Sequence, residues 1–139
     1  MLHISCDHLN TIVAHARLEY PNECCGILVG TDDTVMTAYP ISNIAKSPYR
    51  YLMDSQEFLD ADIKTENMGW EFLAFYHSHT HSRAYPSDTD VRMAQQSGYH
   101  DVYYVLISLE DNNNPDIRVF LINERGDITE VNYEISSLK

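Results

Sequence analysis

The sequence predicts a mixed β-sheet covered by about three helices, an α/β or α+β fold. Stretches in which apolar residues recur at helical spacing alternate with short runs rich in Val, Ile, Phe and Tyr. Residues 102–109 are nearly all apolar, which is typical of a central strand covered on both faces. With 139 residues the chain is long enough to build a core, and we expect one domain over 1–139.

Three helices are predicted from their caps and apolar spacing. They cover residues 6–19, the stretch from Asp54 to Gly69, and residues 87–97. The first is expected to begin behind Ser5 or Asp7. In the second, Asp54 and Glu57 have the spacing of a capping box, and Leu59 and Ile63 are expected to form the buried face.

The remaining apolar runs are predicted to be strands. They cover residues 25–29 and 35–41, joined as a hairpin, and residues 49–53, 72–78, 102–109, 117–122 and 128–135. Leu73, Phe75, His77 and His79 alternate along one of them and its end, so these four side chains are expected to share a face.

Composition and charge exclude several classes of function. The formal net charge is -12 with nine Lys and Arg, so a nucleic-acid partner is not expected. No apolar run approaches the roughly 18 residues of a membrane span, and the N-terminus does not have the pattern of a signal peptide. The three cysteines lack metal-type spacing, which indicates reduced thiols and a cytoplasmic protein.

Residues 77–90, HSHTHSRAYPSDTD, have the pattern that points most directly to chemistry. His77 and His79 lie two apart on a predicted strand, and Asp90 follows a Pro-Ser turn at the start of a predicted helix. Two imidazoles and one carboxylate form a three-ligand Zn²⁺ set that leaves one position open for water, as in catalytic zinc sites. The sequence is therefore interpreted as that of a metal hydrolase. The alternative is a pair of histidines that are hydrogen-bonded within a core or cleft.

Three other residues in or beside this stretch have two interpretations each. Asp90 can bind the metal or form a capping box with Ser87; one carboxylate is not expected to do both well, and the metal is favoured. Ser87 can cap the helix or donate to the oxygen of a substrate carbonyl, and the sequence leaves both open. His81 can extend the ligand set, although a loop position near the site is favoured.

Glu23 lies where the first helix ends and the first strand begins. It is either a solvated turn carboxylate or the general base that a metal-activated water needs. The neighbouring Cys24 and Cys25 can be interpreted as nucleophiles, but Cys25 is expected to pack as a small apolar residue at the head of a buried strand.

These residues together resemble the signature of a known family, the JAMM (MPN+) zinc metalloproteases. The matching motifs are Glu23-x-Cys25-Gly26, His77-x-His79 and Pro86-Ser87-x-x-Asp90. The resemblance covers nearly the whole chain and implies a compact fold related to cytidine deaminases. It implies that His77, His79 and Asp90 bind Zn²⁺, that Glu23 is the base, and that Ser87 supports the oxyanion.

The resemblance also implies a substrate class. Family members hydrolyse amide bonds, often isopeptide bonds, at the C-terminal tail of ubiquitin-like proteins. The run from His77 to Ser87 is similar to the prokaryotic Mec type, which removes cysteine from the Gly-Gly end of a sulfur-carrier protein in cysteine biosynthesis. Thr80 replaces the Pro that commonly follows the second His, which implies a less rigid loop start.

Other functions are weighed against this one. A deubiquitinase-like isopeptidase is the alternative, but the chain is short for the insertions that bind ubiquitin in eukaryotic members. A non-catalytic scaffold of the same fold would lack a ligand or the Glu, and every position is filled here. Nucleobase deamination does not fit, because the Pro-Cys-x-x-Cys ligand pattern is missing. The sequence does not predict the oligomeric state.

Overall fold

The structure is a computed structural model that describes residues 1–136. Its elements are β1 (Leu2–Ser5), α1 (Cys6–Glu19), β2 (Cys25–Thr31), β3 (Thr34–Ile41), α2 (Ser55–Asn67), β4 (Glu71–His79), α3 (Asp88–Ser97), β5 (Tyr103–Ser108), β6 (Asp116–Ile122), β7 (Ile128–Val131) and β8 (Tyr133–Ser136). The strands form one eight-stranded sheet in the order β7-β6-β5-β4-β2-β3-β1-β8. Strands β4 and β5 pair in parallel, and β2 and β3 form the expected antiparallel hairpin. The predicted mixed sheet with three helices is confirmed.

Helices cover both faces of the sheet. On one face, Ile12 and Ala16 of α1 pack in a buried cluster with residues of β2, β4 and β5. On the other, Ala61 of α2 and Ala94 of α3 belong to a second buried cluster that also contains residues of these three strands. Strands β4 and β5 therefore lie between two layers of helix, and β5 is an interior strand covered on both faces, as its apolar sequence predicts.

The sheet curls around α1. The sequence predicts one strand over 128–135, but the structure has two, β7 and β8, separated by Asn132. These two strands lie at opposite edges of the sheet. Because one residue connects them, the edges come close together, and Val131 and Tyr133 both pack against the cluster around α1. Strand β8 pairs with β1, which is too short to show a periodic pattern in the sequence.

A bulge changes which side chains of β4 face the site. Leu28 of β2 pairs with Ala74, but Val29 pairs with Phe72, so Leu73 is an extra residue in the ladder. Leu73 packs on the α1 side, whereas Phe75 and the two histidines beyond it lie on the other side. The prediction that Leu73 shares their face is therefore wrong.

The buried face of α2 also differs from the prediction. Leu59 and Ile63 are 49% and 50% exposed, and the buried positions are Ala61 and Thr65. The reason is Phe58, whose ring lies 5.5 Å from the ring of Phe72 and 6.2 Å from that of Phe75. Because Phe58 faces the sheet, Ala61 and Thr65, which lie three and seven residues further along the same face of the helix, face it as well.

The cap of α2 is only half of the expected box. The Asp54 carboxylate accepts from the N–H of Glu57 at 2.9 Å. The Glu57 carboxylate accepts instead from the N–H of Ser42, also at 2.9 Å, and so ties the helix to the end of β3.

Residues 42–53 form a loop organised by one buried side chain, and the strand predicted over 49–53 is wrong. Asn43 Nδ2 donates to the carbonyls of Glu23 and Arg50, at 3.0 and 3.1 Å. Asn43 Oδ1 accepts from the N–H groups of Ala45 and Leu52, both at 3.0 Å. These side-chain bonds satisfy backbone groups that would otherwise need a partner strand. The backbone pairing of the loop is an isolated bridge between Asn43 and Met53.

No helix in the described part of the chain has the length and apolar character of a membrane span.

We predict that Asn43→Ala destabilises the protein by about 2–4 kcal/mol, because it leaves several buried backbone groups without partners. Urea denaturation followed by circular dichroism measures the change. The control is Asn113→Ala in the exposed 111–114 turn, which is expected to change stability by less than about 0.5 kcal/mol. Equal losses in the two variants would contradict the role given to Asn43.

Candidate metal centre

Three potential metal ligands converge at the end of β4. His77 and His79 alternate on this strand and point to the same side, and Asp90 reaches them from the first turn of α3. The Nε2 atoms of the two histidines are 3.3 Å apart. Asp90 Oδ2 lies 3.1 Å from Nε2 of His77 and 3.0 Å from Nε2 of His79. All three side chains are buried and form a group able to hold one metal ion.

The hydrogen bonds around His79 show why a cation fits between these atoms. His79 Nδ1 lies 2.8 Å from the carbonyl oxygen of Arg83, which can only accept, so Nδ1 carries the hydrogen. A neutral His79 ring then presents the lone pair of Nε2 to the carboxylate of Asp90, and two acceptors face each other. A proton on Nε2 or a bound cation removes this conflict, and a backbone carbonyl on the other ring nitrogen is usual for metal-binding histidines.

The charges at the site favour an ionised carboxylate. Burial alone would raise the pKa of Asp90, but the charge of His77 and hydrogen bonds from both histidines and the Ser87 N–H hold it well below its usual range. Burial likewise opposes protonation of His79, yet the bonds to Asp90 and the Arg83 carbonyl raise its pKa. The site thus has a negative ligand that retains its charge in a buried place.

Ser87 and Asp90 serve the helix and the site at once. The Ser87 N–H donates to Asp90 Oδ2 at 2.9 Å, and the Asp90 N–H donates to Ser87 Oγ at 3.1 Å, so the capping box is present. The same Asp90 oxygen also faces both histidines, so the capping box leaves it placed toward them, and metal binding by Asp90 stays a prediction. The Ser87 hydroxyl acts as an N-cap through its oxygen and keeps its own hydrogen for another acceptor.

Glu23 is buried beside this group. It is only 3% exposed, so the interpretation as a solvated turn carboxylate is wrong. A cavity of about 160 Å³ is lined by Glu23, His79 and Ser87, and Oε1 of Glu23 has no hydrogen-bond partner among residues 1–136. Burial raises the pKa of Glu23 to about 8, with His79 opposing the shift and Asp90 adding to it.

The backbone of Glu23 is fixed by the 42–53 loop. Its N–H donates to the carbonyl of Ser47 at 2.9 Å, and its carbonyl accepts from Asn43. The next residue, Cys24, donates its N–H to Ser78 Oγ at 2.8 Å, between the two histidines in sequence. Glu23 and the end of β4 are therefore held in register although more than fifty residues separate them.

The remaining candidates lie outside the ligand group. Cys24 and Cys25 are buried, and burial raises the pKa of both thiols, that of Cys24 to about 12. Since a thiolate is the reactive form, the nucleophile interpretation does not fit. His81 lines the Glu23 cavity from the loop, as favoured by its position, and its ring lies 5.9 Å from that of Tyr20.

Thr80 is tied more firmly than its replacement of a proline implies. Its hydroxyl donates to the carbonyl of Pro48 at 3.0 Å and lies 2.8 Å from Nδ1 of His81. The hydroxyl therefore joins the start of this loop to the 42–53 loop, and the expected loss of rigidity is offset by a hydrogen bond that proline cannot make.

Two residues of the site were missed in the sequence. Asn43 follows β3, and no sequence pattern identifies it as a site residue, because its hydrogen-bond partners are distant in the chain. Tyr51 is buried with its ring 4.6 Å from the ring of His77, but the sequence predicts it only as part of a strand. Both lie in the 42–53 loop, whose course depends on long-range contacts.

Comparisons with known proteins give the family. Residues 5–123 match the model for prokaryotic homologs of the JAB domain. The CysO-cysteine peptidase of Mycobacterium tuberculosis is 38% identical over 132 residues, which is 94% of this chain and 88% of the relative. A desampylase from Haloferax volcanii is 37% identical over 105 residues, 70% of this chain and 76% of the relative.

Solved structures are similar over the whole fold. A solution structure of a protein from Desulfitobacterium hafniense has a TM-score of 0.83 and 33% identity, and the match covers 98% of this chain and 93% of that one. A JAB1/MPN domain protein from Archaeoglobus fulgidus has a TM-score of 0.63 at 19% identity, with 99% and 100% coverage, and shows the fold alone. This chain therefore belongs to the prokaryotic homologues of the JAB domain, within the JAMM-type family that its motifs resemble.

Proposed function

We propose that this protein is a zinc-dependent peptidase that cleaves a peptide or isopeptide bond at the C-terminal Gly-Gly tail of a ubiquitin-like or sulfur-carrier protein. The observation that supports it most directly is the placement of a buried carboxylate and a hydroxyl beside a three-ligand group, since Glu23, Ser87 and His79 line one cavity. Relatives are named for such substrates, the CysO-cysteine peptidase and a probable TtuB-protein conjugate cleaving protease from Thermus thermophilus.

Zinc is the proposed metal because of the ligand types and their spacing. Bonds of about 2.0 Å to a tetrahedral zinc ion place ligand atoms about 3.3 Å apart. The distances among the three ligand atoms here are 3.3, 3.1 and 3.0 Å. His77, His79 and Asp90 would hold the ion and leave one position open. When bound, zinc supplies Lewis acidity and lowers the pKa of water to about 7.

Glu23 is proposed to move the proton. A general base works best when its pKa is near the operating pH, and burial raises that of Glu23 to about 8. A bound cation would lower this value again and ionise the carboxylate. Glu23 then takes a proton from the attacking water and delivers it to the departing amine, while the backbone bonds to Ser47 and Asn43 keep it in place.

Ser87 is proposed to stabilise the developing oxyanion. Its oxygen is occupied by the Asp90 N–H, which orients the hydroxyl, and its hydrogen is free to donate toward the cavity that Glu23 also lines. A donor fixed in this way requires little reorganisation when negative charge develops on the carbonyl oxygen.

The cellular role proposed with this chemistry is release of cysteine from a sulfur carrier in cysteine biosynthesis. The CysO-cysteine peptidase is the relative that supports it. A cytoplasmic location stays a prediction from the three cysteines, all of which are free thiols in the structure.

We predict that the purified protein contains about one zinc per chain and that His79→Ala removes most of it, because two ligands hold the ion much less well than three. Elemental analysis measures the content. His81→Ala is the matched control, since His81 lies outside the ligand group and its loss is expected to leave zinc bound. Loss of zinc in His81→Ala alone would reverse the assignment.

Glu23→Gln is expected to keep its zinc and to slow hydrolysis by about 10² to 10⁴-fold, because the amide cannot accept the proton of water. Intact mass spectrometry of a carrier protein that ends in Gly-Gly plus one residue follows the cleavage, with a chelator as the negative control. Glu124→Gln, in an exposed turn, controls for the loss of a carboxylate. Undiminished turnover by Glu23→Gln would rule out this base.

Ser87→Ala is expected to slow turnover by about 10²-fold or more while zinc stays bound. It also removes an N-cap, which costs about 1 kcal/mol of stability. Ser87→Gly separates the two effects, because glycine is a fair cap but has no hydroxyl, so it is expected to restore most of the stability and none of the rate. If Ser87→Gly turns over as fast as the native protein, the hydroxyl has no catalytic part.

A further inference from the structure

Tyr76 joins strand β4 to helix α1 on the face of the sheet opposite the candidate ligands. It lies between Phe75 and His77, and since side chains alternate along a strand, its ring points to the α1 side. The side chain is fully buried there. Its hydroxyl lies 2.8 Å from Nδ1 of His15 on α1, and the two rings meet edge to face with their centroids 5.8 Å apart. Tyr76 therefore ties α1 to the strand that carries both candidate histidines.

The ring of Tyr76 also lies over β2. Gly26 is its partner in the β2–β4 ladder, and a Cβ at position 26 would collide with ring carbons and the hydroxyl of Tyr76. Glycine in the interior of a strand often marks such a close approach. The contact gives a physical reason for the glycine in the Glu23-x-Cys25-Gly26 motif, because a larger residue would push β2 away from the ring.

The two contacts of Tyr76 flank the segment that carries Glu23. His15 lies in α1, eight residues before Glu23, and Gly26 lies in β2, three residues after it. Between these contacts the chain leaves α1, turns, and enters β2. One side chain, on the residue next to His77, thus contacts both ends of this segment and relates them to the strand of the ligands.

The hydrogen bond between Tyr76 and His15 joins two uncharged groups. Burial raises the pKa of the Tyr76 phenol, so the hydroxyl keeps its hydrogen. Burial lowers the pKa of His15, with the charge of Glu19 opposing the shift, so the imidazole is neutral at pH 7. A neutral imidazole accepts at one ring nitrogen, and the phenol can donate to it. The bond therefore does not depend on an ionised partner.

We propose that Tyr76 is a positioning residue, which sets the place of the Glu23 carboxylate relative to the metal ligands. This inference rests on the proposed peptidase function, in which Glu23 moves the proton. Tyr76 does not line the Glu23 cavity, so it acts through the backbone of β2 and through α1. A displacement of a catalytic group by about 1 Å can reduce a rate by about 10²-fold, so the loss of this connection is expected to lower kcat.

The first experiment compares two tyrosine hydroxyls in zinc-loaded protein, with a carrier protein that ends in Gly-Gly-Cys as the substrate. Tyr76→Phe keeps the ring over Gly26 and removes the bond to α1, so kcat is expected to fall about 10-fold while KM and zinc content stay unchanged. Tyr103→Phe is the matched control. Tyr103 also packs against the cluster around α1, and its hydroxyl donates to Asp33 at 3.0 Å, but these contacts do not flank Glu23. Its loss is expected to leave kcat as in the native protein.

The second experiment asks whether Tyr76 acts through Glu23. When Tyr76→Phe is added to Glu23→Gln, the residual rate is expected to fall by less than about twofold, because changes that affect one group are not additive. His15→Leu removes the same bond from the α1 side and is expected to lower kcat as Tyr76→Phe does. His15→Gln is expected to restore part of the rate, since its amide oxygen can accept from the hydroxyl.

Native kcat in zinc-loaded Tyr76→Phe and His15→Leu would overturn the inference, and His15→Leu decides alone if Tyr76→Phe does not fold. An equal loss of rate with and without the Glu23 carboxylate, or loss of zinc from either variant, would overturn it as well, because Tyr76 would then act on the ligands. A loss of kcat in Tyr103→Phe as large as in Tyr76→Phe would do the same. Absence of cleavage by the zinc-loaded native protein would instead contradict the proposed function.

Discussion

The structure depends on bringing two imidazole nitrogens and one carboxylate oxygen together in a buried place. Since His79 Nδ1 donates to the Arg83 carbonyl, a neutral His79 ring turns an acceptor toward Asp90, and a proton or a cation is needed between them. Such an arrangement is stable only if the surrounding elements hold it. Strand β4 is paired on both sides by β2 and β5, and the capping box fixes Asp90 on α3. The centre of the sheet thus supplies the two imidazoles and α3 supplies the carboxylate, each on an element that holds it in place.

Glu23, the proposed base, is held beside this centre by a loop rather than by the sheet. The side chain of Asn43 uses all of its hydrogen-bonding capacity to hold the 42–53 loop and the carbonyl of Glu23. The same loop places Tyr51 on His77 and accepts a hydrogen bond from Thr80 through Pro48. A buried carboxylate with a raised pKa costs stability, and this network fixes the backbone that carries it. The candidate ligands on β4 and α3 and the buried carboxylate of Glu23, whose backbone the loop holds, are therefore parts of one site.

Local patterns in the sequence predict most elements but not their packing. The N-cap residues Ser5, Asp54 and Ser87, the hairpin and the central strand depend on neighbouring residues, and the structure has them where the sequence places them, although Glu57 does not complete the box at Asp54. The failures all involve distant contacts. Phe58 rather than Leu59 faces the sheet because of rings on β4, and the bulge at Leu73 arises in pairing with β2. For the site, the spacing of His77, His79 and Asp90 is readable because one strand and one helix supply all three. Glu23 needs the family resemblance, and Asn43 and Tyr51 have no signal in the sequence.

X-ray absorption at the zinc edge of the purified protein tests the central claim most directly, because it reports the atoms around the metal without requiring a substrate. The account predicts two imidazole nitrogens and additional oxygen ligands at about 2.0 Å, with no sulfur in the first coordination sphere. Sulfur at about 2.3 Å would place the metal on the cysteines, and a spectrum without imidazole scattering would remove His77 and His79 from the site; either result would contradict it.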